Sequence, residues 1–174
     1  MALDADLFAA LEREAAALVQ KDLAALEPII ARCVELKAKI VSEDERETTG
    51  QRAKLNFGHT FGHAFEAVSG YASWLHGEAV AAGMVCACRL AERVRGFPRD
   101  LTQRLIALLK RLQLPVLPNP NWPAAEILHA MKSDKKVKGG RLRFILPTAL
   151  GRAELTENVG EADVLATLQD VGGR

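Results

Sequence analysis

With 174 residues, 49% of them hydrophobic, the chain holds enough apolar side chain to close one core, and a single domain is the expectation. Its 23 lysines and arginines stand against 22 aspartates and glutamates, a balance that excludes bulk electrostatic attraction to nucleic acid or to a membrane surface. No run approaches the roughly 18 apolar residues of a membrane span, and the first turns carry acids where a basic leader would be.

Three cysteines, Cys33, Cys86 and Cys88, fall on segments of helical texture, as buried thiols of a reducing compartment rather than a disulfide framework. A cytoplasmic location is therefore expected. In chain order, apolar residues from Leu7 to Leu18 recur at helical spacing, with Asp4 placed to accept from the first-turn amides. A second helical pattern runs from about Leu23 to Val41, with Pro28 at the first turn of its main segment. Ser42 to Arg52 is too polar to bury and contains Gly50, so a charged surface loop is expected there.

Between Leu55 and Arg95 the texture changes to Ala, Gly, His and large apolar residues. This predicts two closely packed helices, about 57–68 and 76–95, broken at Ser69-Gly70-Tyr71. Small residues at Ala79, Ala81, Ala82, Gly83 and Ala87 allow a neighbouring helix to come near, which makes the second of these central. Another helix follows Gly96 and Pro98 to about Leu112, then a proline-rich connector from Leu114 to Pro123 and a short helix from Ala124 to Met131. Leu142–Leu146 and Ala153–Leu155, separated by Pro147 and Gly151, read as a strand pair, and a last amphipathic helix lies near Glu161–Gln169. The fold class is mainly α with one small β-hairpin.

Of the four histidines in the chain, His59, His63 and His76 fall within one short segment. His59 and His63, four residues apart, share a helix face, and His76 opens the next helix after a turn. Neutral imidazoles brought together in this way suit zinc or a similar divalent ion, for which a catalytic site needs about three protein ligands and one open position. A lone histidine is more often a cap or core residue satisfied by a carbonyl; three flanked by Gly58, Gly62 and Gly77, where bulk would block close approach, favour the metal reading. Spacing alone leaves open which of the three bind.

The run Asn56-Phe57-Gly58-His59-Thr60-Phe61-Gly62-His63-Ala64-Phe65-Glu66, followed by Gly70-Tyr71 and Trp74-Leu75-His76-Gly77-Glu78-Ala79-Val80, resembles the 3-dehydroquinate synthase family. The resemblance extends upstream through Lys37-Ala38 and Asp44-Glu45-Arg46-Glu47 to Arg52, and downstream through Asp134-Lys135-Lys136 to Phe144-Ile145-Leu146-Pro147. It implies the helical carboxy-terminal domain of that fold over residues 1–174, with the NAD-binding domain outside this chain. It implies a lyase of the shikimate pathway, feeding chorismate and aromatic amino acid biosynthesis, that eliminates phosphate from 3-deoxy-arabino-heptulosonate 7-phosphate to give 3-dehydroquinate. The cofactors it implies are a divalent metal, zinc or cobalt, and NAD in the full-length enzyme.

By the same resemblance His59 and His76 are metal ligands, so the helical pair favoured by spacing, His59 with His63, is not the metal pair. His63 and Lys37 are the implied catalytic residues, and Lys37, Arg52, Asn56, His63, Lys135 and Lys136 the implied substrate contacts. Their chemistry suits an acid phosphate: arginine offers a planar fork, lysine a mobile charge, and asparagine a donor to a hydroxyl. Without the resemblance each has a plainer reading, Lys37 near a helix end, Arg52 in a charged loop and the lysine pair as solvated surface. The basic cluster Lys132, Lys135, Lys136, Lys138, Arg141 and Arg143 lacks interleaved aromatics apart from Phe144, so a phosphate-binding loop explains it better than RNA.

The expected partners are a small sugar acid phosphate and a second copy in a homo-oligomer, a dimer, with neither nucleic acid nor membrane. No glycine-rich phosphate turn follows a strand, so no NAD site is expected within the chain. In the family the third metal ligand is a glutamate just ahead of the region where this sequence begins. The chain alone is accordingly expected to hold metal weakly or not at all and to be inactive. Two rival readings are another sugar phosphate cyclase, making valiolone-type or deoxyinosose-type rings, and a non-catalytic helical module. Lys37, Asn56 and His63 fit the dehydroquinate pattern rather than the first of these.

Overall fold

The computed structural model describes residues 1–71, 74–133 and 142–172. Its helices are α1 (Ala5–Val19), α2 (Leu23–Glu43), α3 (His59–Val68), α4 (His76–Arg95), α5 (Arg99–Arg111), α6 (Ala124–Ser133) and α7 (Glu161–Asp170), with a 3₁₀ turn at Arg52–Asn56. Strands β1 (Phe144–Ala149) and β2 (Arg152–Thr156) pair antiparallel, with Leu146 opposite Glu154. The mainly helical class with one hairpin is the one expected.

Helix α4 is the axis of the domain. Ala79, Ala81, Ala82, Gly83 and Ala87 are all buried, and α4 packs against α3, α5, α7 and β1. The contact with α3 is a backbone approach. A Cβ on Gly83 would stand 2.2 Å from the Gly58 carbonyl oxygen, and one on Gly58, whose φ is +84°, would stand 2.8 Å from the Val80 oxygen and the Met84 nitrogen. Glycine is needed at Gly58 on both counts, conformation and space. Gly77, by contrast, has nothing within 4 Å of a Cβ, so it has no part in the close approach expected of it.

Phe8, Phe61, Phe65, Leu90, Ile127, Phe144, Leu146 and Leu168 are fully buried around this axis. Burying each stabilises the fold by roughly 1.5–3 kcal/mol before entropy is counted. The hairpin closes the core through Phe144, whose ring lies 5.4 Å from that of Phe61, and through the Thr60 hydroxyl, which donates to the Arg143 carbonyl at 2.8 Å.

Asp4 caps α1 as expected, its Oδ1 accepting from the Leu7 amide at 2.8 Å. Its other oxygen accepts from Arg32 at 2.6 and 2.8 Å, which ties α1 to α2. Arg104 of α5 forks onto Glu12 of α1 at 2.7 and 3.1 Å and covers the Phe8 ring.

Several boundaries differ from the sequence expectation. Helix α2 is continuous through Pro28, which sits in its second turn rather than opening a main segment. The proline's missing amide leaves the Ala24 carbonyl without an intrahelical donor, a cost that α2 carries in its second turn. The charged loop is shorter than expected, because α2 runs to Glu43 and the chain re-enters a 3₁₀ turn at Arg52. Strand β1 passes through Pro147 to Ala149, with a register shift between them that takes up the irregularity. Cys86 and Cys88 are buried as expected, but Cys33 is exposed on α2. Burial pushes the Cys86 thiol up to about 12 and that of Cys88 higher still, so both stay protonated at neutral pH. Among the described residues no helix is long and apolar enough to cross a membrane.

Candidate metal and substrate site

The three clustered histidines converge. The His59 ring centroid lies 5.2 Å from that of His76 and 5.5 Å from that of His63, and His63 and His76 are 5.9 Å apart. Two short helices achieve this. Gly58, left-handed, starts α3 directly under α4, and the Gly58–Gly83 contact brings the α3 face bearing His59 and His63 up to the first turn of α4. That turn is fixed by Glu78, whose Oε2 accepts from the Leu75 amide at 2.8 Å. The segment before His76 is anchored by an aromatic cluster: Trp74 lies 5.3 Å from Trp122 of the proline-rich connector, and both are 6.1 Å from Phe65.

A carboxylate that sequence reasoning passed over completes the group. Glu66 Oε1 lies 3.0 Å from His76 Nδ1, and the ligand atoms of His63, Glu66 and His76 lie within 4.8 Å of one another. The signal was present, since Glu66 follows His63 by three residues and so shares its helix face. His59 Nδ1 faces the Phe57 carbonyl at 3.4 Å. Imidazole and carboxylate gathered at this density fit a divalent transition metal.

A cavity of about 550 Å³ opens beside the rings, lined by Asn56, His59, Thr60, His63, Glu66, Tyr71 and Arg143, with an apolar floor of Met131, Leu142 and Ile145. Asn56, His59 and His63 therefore share one pocket, with His76 at its edge through Glu66. Lys37 and Arg52 do not line it. Lys37 is exposed on α2; Arg52 pairs with Glu47 at 3.0 Å and donates to the Glu45 carbonyl at 3.2 Å. Lys135 and Lys136 lie outside the described residues, as do Lys138 and Arg141. The two described members of the basic cluster each meet an acid, Lys132 with Glu161 at 2.6 Å and Arg143 with Glu157 at 2.9 Å.

Asp44 organises the approach to the site. Buried, it accepts from the amides of Thr48, Thr49 and Arg52 at 2.8, 3.0 and 3.0 Å. These bonds, led by those from Thr49 and Arg52, hold its carboxyl down to about 2. The described sheet is a single antiparallel pair.

Residues 1–137 match the model of the 3-dehydroquinate synthase carboxy-terminal family. The chain belongs to that family. Solved structures agree. The 2-epi-5-epi-valiolone synthase ValA from Streptomyces hygroscopicus subsp. jinggangensis 5008, a structure with NAD+ and Zn2+ bound, superposes with a TM-score of 0.85 at 27% identity over 98% of this chain and 47% of its own. A 2-deoxy-scyllo-inosose synthase complexed with carbaglucose-6-phosphate, NAD+ and Co2+ follows with a TM-score of 0.71 at 27% identity, over 84% of this chain and 41% of its own. A further structure of 2-deoxy-scyllo-inosose synthase gives 0.68 at the same identity, over 84% of this chain and 40% of its own. This member of the 3-dehydroquinate synthase family thus spans about half the length of the sugar phosphate cyclases it resembles.

Proposed function

We propose that this chain is the metal- and substrate-holding part of a sugar phosphate cyclase and, more finely, of a 3-dehydroquinate synthase acting on 3-deoxy-arabino-heptulosonate 7-phosphate. The observation that supports this is the convergence of His59, His63 and His76, the first two lining a cavity of substrate size, in a chain of this family. His59 and His76 would hold the zinc or cobalt ion. A bound divalent ion would supply polarisation of the reacting hydroxyl and carbonyl oxygens. His63 and Asn56, in the same pocket, would hold substrate oxygens, His63 toward the phosphate. Lys37, Arg52 and the Lys135-Lys136 pair would complete the anion clamp, so the chain's share of catalysis is positioning and electrostatic stabilisation. NAD would be held mainly by a domain outside this chain.

A second reading has its own support. The structural neighbours make valiolone and deoxy-scyllo-inosose rings. Against it stand Lys37, Asn56 and His63, which fit the dehydroquinate pattern. Phosphate release from 3-deoxy-arabino-heptulosonate 7-phosphate, from a heptulose 7-phosphate lacking the carboxylate and from glucose 6-phosphate separates the two readings. The assay is made with zinc and NAD on the chain alone and on a polypeptide joining it to an NAD-binding half. The expected outcome is no release by the chain alone and release only from the heptulosonate by the joined form. Preferential turnover of the heptulose 7-phosphate or of glucose 6-phosphate would establish the other cyclase.

A further inference from the structure

We infer that Glu66 is the positioning residue of the metal centre, fixing His76 in the tautomer that presents Nε2 to the ion. The inference rests on the metal reading proposed above for the same imidazoles. His76 sits at the exposed first turn of α4 with 56% of its side chain accessible, so its ring could turn to solvent. Glu66 prevents this. Its side chain is only 14% exposed, it projects from the α3 face that bears His63, and its Oε1 stands 3.0 Å from His76 Nδ1. A carboxylate at that distance accepts the Nδ1 proton and leaves the lone pair on Nε2.

The backbone of Glu66 holds the same junction. Its carbonyl accepts from the Tyr71 amide at 2.8 Å and from the Ser69 hydroxyl at 2.9 Å, closing the turn that leads toward α4. One residue thus sets both the path into His76 and the orientation of its ring. The Phe57 carbonyl stands in the same relation to His59, through Nδ1 at 3.4 Å, so both proposed ligands would offer the same nitrogen. Outer-sphere acceptors of this kind fix the ring orientation of ligating histidines and raise their basicity, and their removal typically costs about 10–100-fold in metal affinity.

Two measurements on the whole chain test this. Long-range proton–nitrogen NMR of the imidazoles, without metal and above the imidazole titration range, should show His76 as the Nδ1–H tautomer. In Glu66→Ala it should revert to the Nε2–H form that free imidazole prefers, whereas Glu66→Gln, which keeps an acceptor oxygen and the same backbone contacts, should retain Nδ1–H. Cobalt titration followed by visible absorption should show affinity falling about 10–100-fold in Glu66→Ala and less in Glu66→Gln, with the band shape of the bound ion unchanged. An Nε2–H tautomer in the parent chain, or one indifferent to Glu66→Ala, overturns the inference. A changed band shape also overturns it, because Glu66 would then be a ligand itself. If the parent chain takes up no cobalt, the proposed pair His59 and His76 needs a further ligand to hold the ion, and the tautomer measurement decides the role of Glu66.

Discussion

Asp44 shows how one side chain organises a loop that composition alone describes only as polar. Three backbone amides converge on a carboxylate that is 3% exposed. Its folded value lies below its unfolded one, so it adds stability at any pH above the ordinary 3.8, and that contribution is lost as pH falls toward about 2. Asp44→Asn should lower the urea midpoint at neutral pH, and its deficit relative to the parent should shrink across that acid window. A pH-independent deficit would mean that packing, not ionisation, carries the effect. The residue scale was also where the sequence was least legible. His59, His63 and His76 stood out by clustering, but Glu66 did not, because a glutamate on a helix face looks like surface until the next helix folds over it. Arg52 and Lys37 carry suitable charge, yet their distance from the cavity depends on how α2 and the 3₁₀ turn are set, which no local pattern encodes.

At the scale of elements, α3 and α4 were legible because their texture is extreme: small residues on one helix and glycines at the start of the other admit few arrangements. The expectation erred on which glycines matter. Gly77 looked equivalent to Gly58 and Gly62, yet a Cβ there would meet nothing, whereas Gly83, expected among the small residues of α4, closes the contact with Gly58. Gly83→Ala should therefore destabilise the domain by about 1–3 kcal/mol or more, through overpacking against the Gly58 carbonyl, and should separate the histidines. Gly77→Ala should be neutral or stabilising by up to about 1 kcal/mol. Chemical denaturation of both variants checks the contrast, and equal losses would show that the close approach is not the constraint. The helix ends were read less well. Pro28 and Pro147 were taken as boundaries, but α2 runs on through the first, and β1 through the second, on a two-stranded sheet where each strand has an edge.

At the scale of the molecule, residues 1–137 carry the pattern of the 3-dehydroquinate synthase carboxy-terminal family. The chain spans 47% of the valiolone synthase it resembles. Leu23, Ile30 and Val34 of α2 are 79%, 55% and 62% exposed, and no residue of that helix is buried. What the chain does contain is three imidazoles already brought together. The most direct test is zinc titration of the purified chain, followed by the imidazole nitrogen signals of its four histidines. The account predicts that His59 and His76 shift together on Nε2, with weak affinity, while His129, exposed on α6, stays where it is. Zinc that moves His129 and leaves the clustered rings untouched would contradict it.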